Sequence, residues 1–232
     1  MKIYGFQKTT LLDYPGKVAC TVFLGGCNFR CPFCHNSALV FPSSFPEAVN
    51  EDEFFEYIKK RKGILDGVCV TGGEPLISAE TLDFLRKIKE AGLSVKLDTN
   101  GSFPDRLETA VNEKLADYVA MDIKNSRKHY GKAVGIEYYD TAAVERSVSF
   151  LLKKSVPFEF RTTAVKGIHE TLDFIDIAAW IQGAEKYYLQ SFVRSDGILD
   201  GEADLSSFTR SEMEEFAKIV ERTVGTVEIR GI

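Results

Sequence analysis

The sequence predicts an α/β fold built as an open, partial barrel of six β/α repeats. Short runs rich in β-branched and aromatic residues alternate with amphipathic segments of helical period along most of the 232 residues. Such alternation implies parallel strands joined by helical crossovers. An eight-fold closed barrel would usually need more chain. A doubly wound open sheet shows the same alternation, and periodicity does not separate the two.

Six predicted strands follow one another along the chain. Each is a short run with the β-branched and aromatic composition typical of strands. They cover residues 20–24, 68–71, 95–98, 118–123, 158–163 and 187–191, and residues 227–230 form a seventh strand or a C-terminal edge.

Capping residues mark the helices between the strands. Asn50 is a predicted N-cap with Glu53 at the capping-box position, and Gly63 closes that helix. Thr209 and Glu212 form a second capping box. Further helices are expected over residues 78–92, around residues 144–151 and over residues 169–182. We expect one domain, residues 1–232, with a core at about 16–192 and a C-terminal helix and strand at 205–232.

The composition argues against nucleic-acid and membrane partners. There are 29 Lys and Arg against 34 Asp and Glu, and no basic block of the kind that follows a phosphate backbone. The N-terminus lacks the continuous apolar region of a signal peptide, and no stretch approaches the roughly 20 apolar residues of a membrane span. We therefore expect a cytoplasmic protein.

Glycine and polar residues gather where each predicted strand gives way to its helix. In barrels and open α/β sheets, active sites are built at this carboxyl edge of the strands. Turn and capping chemistry explains some of these residues, but six consecutive polar endings are harder to assign to turns alone. The endings are residues 25–26, 71–74, 98–101, 122–124, 161–163 and 190–191.

Three of the five cysteines lie within eight residues. Cys27, Cys31 and Cys34 have the spacing C-x3-C-x2-C, whereas Cys20 and Cys69 lie inside apolar strands and are expected to be core residues. An odd number of cysteines in a chain that is not secreted argues against a disulfide framework.

The clustered thiolates indicate a metal centre. Thiolates are soft ligands suited to iron–sulfur clusters and to zinc. Three thiolates on a four-iron cluster leave one iron open, whereas a structural zinc site needs a fourth ligand, for which His35 is the candidate. A cluster that only carries electrons generally has four protein ligands.

The cysteine segment resembles the radical S-adenosylmethionine (SAM) superfamily, whose hallmark is C-x3-C-x-aromatic-C. Phe33 fills the aromatic position, and the preceding strand ends in Gly-Gly. The resemblance implies a radical SAM core in which Cys27, Cys31 and Cys34 ligate a [4Fe–4S] cluster and SAM chelates the open iron. It further implies reductive cleavage of SAM to methionine and a 5′-deoxyadenosyl radical, chemistry that the cofactors supply and the protein directs.

Gly72-Gly73-Glu74-Pro75 resembles the motif that meets the amino group of SAM in this superfamily. Two glycines allow a ligand to approach the backbone closely, and Glu74 offers a carboxylate to an ammonium group. Taken alone the motif would be a turn. The resemblance also places Phe33 and His35 near the cluster or the adenine, with a loop-capping role as the alternative for His35.

Two further motifs resemble the glycyl-radical-enzyme activating enzymes. They are Asp98-Thr99-Asn100-Gly101 and Asp122-Ile123-Lys124. The resemblance implies that Asp98, Asn100, Asp122 and Lys124 surround SAM, and that Asp98, Thr99 and Asp122 hold a monovalent cation, for which oxygen ligands are suitable. The alternative for each motif is a turn, which Asn-Gly favours directly.

Longer stretches resemble the activating proteins of anaerobic ribonucleoside-triphosphate reductase. They cover residues 11–36, 95–101, 117–124 and 157–167. The resemblance implies that the chain generates a glycyl radical on a partner enzyme, anaerobic ribonucleotide reductase, with flavodoxin or ferredoxin as electron donor. In the same pocket, Arg161, Thr163 and Gln190 are expected to contact SAM or to pair structurally.

Three other functions compete with this one. The first is activation of another glycyl radical enzyme, of the pyruvate formate-lyase type. The second is modification of a small molecule by a radical SAM enzyme. The third, from a different class, is a non-enzymatic iron–sulfur electron carrier.

Overall fold

A computed structural model describes residues 1–232, with eight strands and seven α-helices. The strands are β1 (Ile3–Thr10), β2 (Ala19–Leu24), β3 (Gly67–Gly72), β4 (Ser94–Thr99), β5 (Tyr118–Asp122), β6 (Phe158–Ala164), β7 (Lys186–Ser191) and β8 (Thr226–Arg230). The helices are α1 (Glu51–Lys60), α2 (Glu80–Glu90), α3 (Pro104–Asn112), α4 (Tyr130–Val134), α5 (Ala142–Leu151), α6 (Thr171–Trp180) and α7 (Arg210–Val220). All seven predicted strands are present.

The Asn50 cap and the capping box of Thr209 and Glu212 are confirmed, whereas α1 has no capping box with Glu53 and ends at Lys60, before Gly63. The Asn50 side chain accepts the Asp52 N–H at the start of α1, and Thr209 and Glu212 form both halves of a capping box at α7. The predicted helix at residues 169–182 is shorter, because a capping box of Glu170 and Asp173 starts α6 at Thr171. Strand β1 and helices α3 and α4 were not predicted.

The chain divides into two compact units. The first comprises residues 1–28, 38–119 and 155–157, and the second comprises residues 29–37, 120–154 and 158–232. Strand β5 begins in the first unit and ends in the second. The domain boundary predicted from the sequence stays a prediction.

In the first unit, β1 pairs antiparallel with β2, and β2, β3 and β4 are parallel neighbours. The register aligns Thr21 with Cys69 and Cys69 with Lys96, so these three side chains stand in a row on one face. The opposite face, with Val22, Val70 and Leu97, carries apolar side chains that are fully buried. Burial of this apolar face stabilises the unit.

In the second unit, β6, β7 and β8 are parallel neighbours. Helix α7 packs against β7 and β8, and α6 packs against α7, where the rings of Phe174 and Phe216 stack with centroids 4.2 Å apart. The C-terminal residues therefore form a helix, α7, and a parallel strand of the sheet, β8.

The sheet is open. Strand β1 has β2 as its only neighbour and β8 has only β7, so the sheet is not closed into a barrel. The open α/β architecture with parallel strands is confirmed. No helix has both the length and the apolar character needed to cross a membrane.

Candidate active site

The three clustered cysteines lie just beyond β2. None of the five cysteines is in a disulfide; Cys31 is buried, whereas Cys27 and Cys34 are half-buried. The Cys34 N–H donates to the Cys31 carbonyl at 3.0 Å, which holds these two residues in one turn. As predicted, Cys20 in β2 and Cys69 in β3 are buried in the core.

Backbone contacts anchor the segment that carries Cys31 and Cys34. The Arg30 N–H donates to the Val134 carbonyl at 2.8 Å, and the N–H groups of Leu199 and Asp200 donate to the carbonyls of Cys34 and Pro32 at 3.2 and 3.0 Å. Gly135, which ends α4 with φ of +66°, comes so close that a Cβ there would lie 2.2 Å from the Arg30 oxygen. Sequence reasoning found none of these supports, although a glycine after a helix is a readable signal.

Phe33 and His35 are held by protein groups of the second unit. Phe33 is buried, with its ring 6.4 Å from that of His169. His35 is exposed; its Nε2 lies 2.7 Å from the Val193 carbonyl and its ring stacks on Phe192. The Nε2–H of His35 donates to a carbonyl of the loop after β7, a contact that matches the loop-capping alternative for this residue.

Gly72 and Gly73 allow the protein's own backbone to pass closely. A Cβ on Gly72 would lie 2.1 Å from the Leu24 oxygen, and one on Gly73 would lie 2.2 Å from the Gly26 oxygen. The Gly73 N–H donates to Leu24 and the Glu74 N–H to Gly26, at 2.9 and 2.8 Å. These contacts join the end of β3 to the end of β2, the strand that leads into the cysteines.

The carboxylate of Glu74 is 1% exposed and organises the loops that follow β3 and β4. It accepts the Thr99 hydroxyl at 2.8 Å, the Asn100 N–H at 2.6 Å and the Leu76 N–H at 3.0 Å. A buried carboxylate needs donors of this kind. The expected contact of Glu74 with the SAM ammonium stays a prediction.

Asn100 ties the loop after β4 to the residue that follows Cys27. Its amide donates to the Asn28 side chain at 3.0 Å, and Asn28 donates to the Ser102 hydroxyl at 3.0 Å. The Ser102 N–H closes the network on the Asn100 oxygen at 2.9 Å. Asn28 and Ser102 were not predicted as site residues, since single polar loop residues carry no distinctive pattern.

Asp98 forms an ion pair with Lys96 on the same strand. The Lys96 side chain is only 3% exposed. The Cys69 sulfur lies 3.7 Å from the Lys96 ammonium and 3.8 Å from the Asp98 carboxylate. Lys96 was absent from the predicted site, although its position two residues before Asp98 in a strand places both side chains on one face.

Asp122 is paired with two cations in the second unit. Lys124 Nζ and Arg161 Nε each lie 2.9 Å from a carboxylate oxygen of Asp122. Burial alone would raise the pKa of Asp122, but Arg161 and Lys124 outweigh it and lower the pKa to about 2. The predicted residues Asp122, Lys124 and Arg161 therefore form one cluster.

Lys124 also interacts electrostatically with the cysteines. Burial opposes its charge, but Asp122 and then Cys31 and Cys34 raise the pKa of Lys124 above its ordinary value. Burial raises the pKa of the Cys34 thiol, and Lys124 is the leading influence that lowers it. A fixed cation near these thiols favours the thiolate form that metal ligation requires.

The late strands carry Arg161, Thr163 and Gln190 side by side. Thr163 is two residues beyond Arg161 on β6, and Gln190 on β7 is its register partner, so all three share one face. The same register places Arg230 of β8 beside Gln190, with its guanidinium carbon 3.4 Å from the ring centroid of Tyr188. Arg230 and Tyr188 were not predicted.

No group of three or more His, Cys, Asp or Glu side chains is brought together as a site for a single metal ion. The cysteine triad as cluster ligands, and Asp98, Thr99 and Asp122 as cation ligands, stay predictions.

An open parallel α/β sheet with clustered thiols just beyond one of its strands is an arrangement suited to iron–sulfur chemistry. The sequence matches the radical SAM superfamily over residues 21–181. The chain belongs to the radical SAM superfamily, whose members carry a [4Fe–4S] cluster and use SAM.

Two curated relatives and one solved structure extend this comparison. A Methanocaldococcus jannaschii protein named "Putative glycyl-radical enzyme activating enzyme" is 31% identical over 235 residues, covering 99% of this chain and 96% of its own. The pyruvate formate-lyase 1-activating enzyme of Escherichia coli K12 is 30% identical over 173 residues, 72% of this chain and 68% of its own. A domain of a pyruvate-formate lyase-activating enzyme from Bacteroides vulgatus shares the fold, with a TM-score of 0.57 and 14% identity over 71% of this chain and 99% of its own.

Proposed function

We propose that this chain is an activating enzyme that uses a [4Fe–4S] cluster and SAM to generate a glycyl radical on a partner enzyme. The observation that carries the proposal is the 31% identity over nearly the whole of both chains to the M. jannaschii relative, whose name states that activity. The similarity to a pyruvate formate-lyase 1-activating enzyme supports the same class of reaction.

Cys27, Cys31 and Cys34 would hold the cluster. The residues fit this group, because none of the three cysteines is in a disulfide and all three lie on one eight-residue segment. The segment around Cys31 and Cys34 is fixed by backbone hydrogen bonds, and Lys124 supplies a positive charge that offsets thiolate charge. When bound, the cluster and SAM supply the electron transfer and the carbon-centred radical that starts the reaction.

The remaining site residues would bind SAM and hold the surrounding loops in place. Glu74 holds the loops after β3 and β4 together through Thr99 and Asn100, so these loops keep a fixed shape beside the strand ends. The cluster of Asp122, Lys124 and Arg161 presents one carboxylate and two cations, which suits the carboxylate and ammonium of an amino acid such as the methionyl part of SAM. Thr163 and Gln190 add neutral hydrogen-bonding groups on the same face as Arg161.

The partner is proposed to be anaerobic ribonucleoside-triphosphate reductase, with flavodoxin or ferredoxin as electron donor. Residues 11–36, 95–101, 117–124 and 157–167 support this partner by their resemblance to its activating proteins. The E. coli relative favours a pyruvate formate-lyase type partner as the second candidate.

Anaerobic reconstitution tests the proposal. The reconstituted chain should release 5′-deoxyadenosine from SAM after reduction, and electron paramagnetic resonance should detect a glycyl radical after incubation with the partner. Offering each of the two candidate partners separately identifies which one acquires the signal. An intact cluster without release of 5′-deoxyadenosine would indicate an electron carrier, and release without any glycyl signal would indicate small-molecule chemistry.

Single alanine variants test the ligand assignment. Cys27→Ala, Cys31→Ala and Cys34→Ala should each lose the cluster, measured as iron per chain and as absorbance of the iron–sulfur charge-transfer band. Cys20→Ala is the matched control, because Cys20 is a free cysteine buried in β2. Full iron content in all three triad variants would overturn the assignment.

A further inference from the structure

The oxygen ligands expected for a monovalent cation are already engaged by protein groups. Asp98 is paired with Lys96, and the Thr99 hydroxyl oxygen accepts the Gly101 N–H at 3.1 Å while the hydroxyl donates to Glu74. Na⁺ and K⁺ are bound by oxygen atoms that have lone pairs available to the ion. The residues of the first unit that were expected to bind the cation therefore do not fit it.

Asp122, the expected ligand in the second unit, is engaged in the same way. Its two carboxylate oxygens lie 2.9 Å from Lys124 Nζ and 2.9 Å from Arg161 Nε. A metal ion bound to this carboxylate would lie close to the positive charges of Lys124 and Arg161, or would have to displace one of them. Like charges repel strongly where burial lowers the dielectric screening.

Lys96 is the unusual member of this set. It lies in the interior of β4, its side chain is 3% exposed, and its ammonium contacts both Asp98 and the Cys69 sulfur. A buried lysine is costly unless a carboxylate compensates its charge. In turn, Asp98 is half-buried, and a lysine on its own strand supplies the cation that compensates its charge.

We propose that the Lys96 ammonium takes the place of a bound monovalent cation beside Asp98, so that this chain works without Na⁺ or K⁺. The inference rests on the proposed function in one respect, since it assumes that Asp98 belongs to the SAM site. Lys96 is a positioning residue: it fixes the charge and orientation of Asp98.

The first test uses the wild-type, cluster-loaded chain. Release of 5′-deoxyadenosine is measured in tetramethylammonium chloride, NaCl and KCl at equal ionic strength. The expected rates agree within about twofold, because screening alone distinguishes salts at equal ionic strength only weakly. Saturable activation by Na⁺ or K⁺ beyond that range would overturn the inference.

The second test removes the ammonium. Lys96→Met keeps an unbranched apolar side chain and should lose about 10- to 100-fold in rate without alkali cations, the usual effect of removing a group that orients a ligand-binding residue. Added K⁺ or Na⁺ should restore much of the rate, whereas Lys96→Arg should need neither. Lys87→Met is the control, because Lys87 forms a surface ion pair with Glu51 and its side chain is 56% exposed. A folded Lys96→Met variant that loses rate without rescue by cations would contradict the inference.

A binding measurement does not depend on activity. Equilibrium dialysis of the cluster-loaded chain against radioactive rubidium, a K⁺ analogue, should detect no site in the wild type and one per chain in Lys96→Met. A saturable site in the wild type overturns the inference even if Lys96→Met fails to fold. Because this result needs no SAM cleavage and no glycyl radical, failure of the inference is distinguishable from failure of the proposed function.

Discussion

Replacing Thr99 by valine tests the network around Glu74. Thr99 is buried, and its hydroxyl donates to the Glu74 carboxylate at 2.8 Å while accepting the Gly101 N–H at 3.1 Å. Valine has nearly the same shape, so Thr99→Val removes both hydrogen bonds without opening a cavity.

The expected loss follows from the charge and burial of the acceptor. A hydrogen bond to a charged group contributes about 1.5–3 kcal/mol to stability, and the weaker bond to Gly101 adds a smaller amount. The variant should therefore lose about 2–3 kcal/mol. For a chain of this length the melting temperature should fall by about 4–12 °C, since each kcal/mol lowers it by about 2–4 °C.

Thermal unfolding followed by circular dichroism, under anaerobic conditions on the cluster-loaded chain, measures this change. Thr99→Ser is the control: it keeps the hydroxyl and loses one buried methyl group, a loss of about 1 kcal/mol. A valine variant as stable as wild type, or a serine variant as unstable as the valine variant, would refute the assigned role of the hydroxyl.

Three further perturbations follow from the structure. His169 is buried, which lowers its pKa from 6.5 to about 4. Between these pH values the unfolded chain binds a proton at this histidine and the native chain does not, so about 3 kcal/mol of stability present above pH 6.5 should be lost as the pH falls towards 4. Urea unfolding at a series of pH values measures this loss. Arg161→Met should raise the pKa of Asp122 from about 2 towards its usual value, so that the carboxyl protonates at higher pH in a nuclear magnetic resonance titration. Gly135→Ala should lower iron content, because its Cβ would meet a backbone oxygen of the cysteine segment at 2.2 Å.

Each of these has a control and a contrary outcome. A His169→Gln variant should show a flatter dependence of stability on pH between 4 and 6.5, and an unchanged slope would contradict the role of this histidine. Arg127→Met removes a surface ion pair with Asp176 and should leave the titration of Asp122 unaltered. Gly183→Ala places alanine at a similar positive φ with nothing within 4 Å of the Cβ, so equal iron loss in both glycine variants would refute the steric argument.

The strands were predictable because their signals are local. A short run of β-branched and aromatic residues between turn residues indicates a strand wherever it falls, and all seven predicted strands are present. Strand β1 was missed because it is half-exposed and mixes polar with apolar residues, so that it lacks the apolar run of a buried parallel strand. Helix α4 is only five residues long, too short for helical periodicity to be visible.

The sequence did not predict which polar residues far apart in the chain pair with one another. Asp122 and Lys124 are two residues apart, and their proximity on one face could be read from the sequence. Arg161 is 39 residues from Asp122, and Glu74 is 25 residues from Thr99; these pairs form only because loops and strands are brought together in the folded chain. For the same reason the sequence did not predict that Glu74 accepts hydrogen bonds from Thr99 and Asn100.

The sequence by itself determined the class of chemistry. The spacing of the cysteines along the chain does not depend on folding, so the sequence specifies which thiols are available to a cluster. The alternation of strands and helices predicts the α/β architecture in which these thiols lie. Only the tertiary structure decided which charges neutralise one another. From the sequence, Lys96 is an ordinary polar residue in a strand. It becomes the partner of Asp98 because folding buries its side chain, and an unpaired charge is unstable in the protein interior.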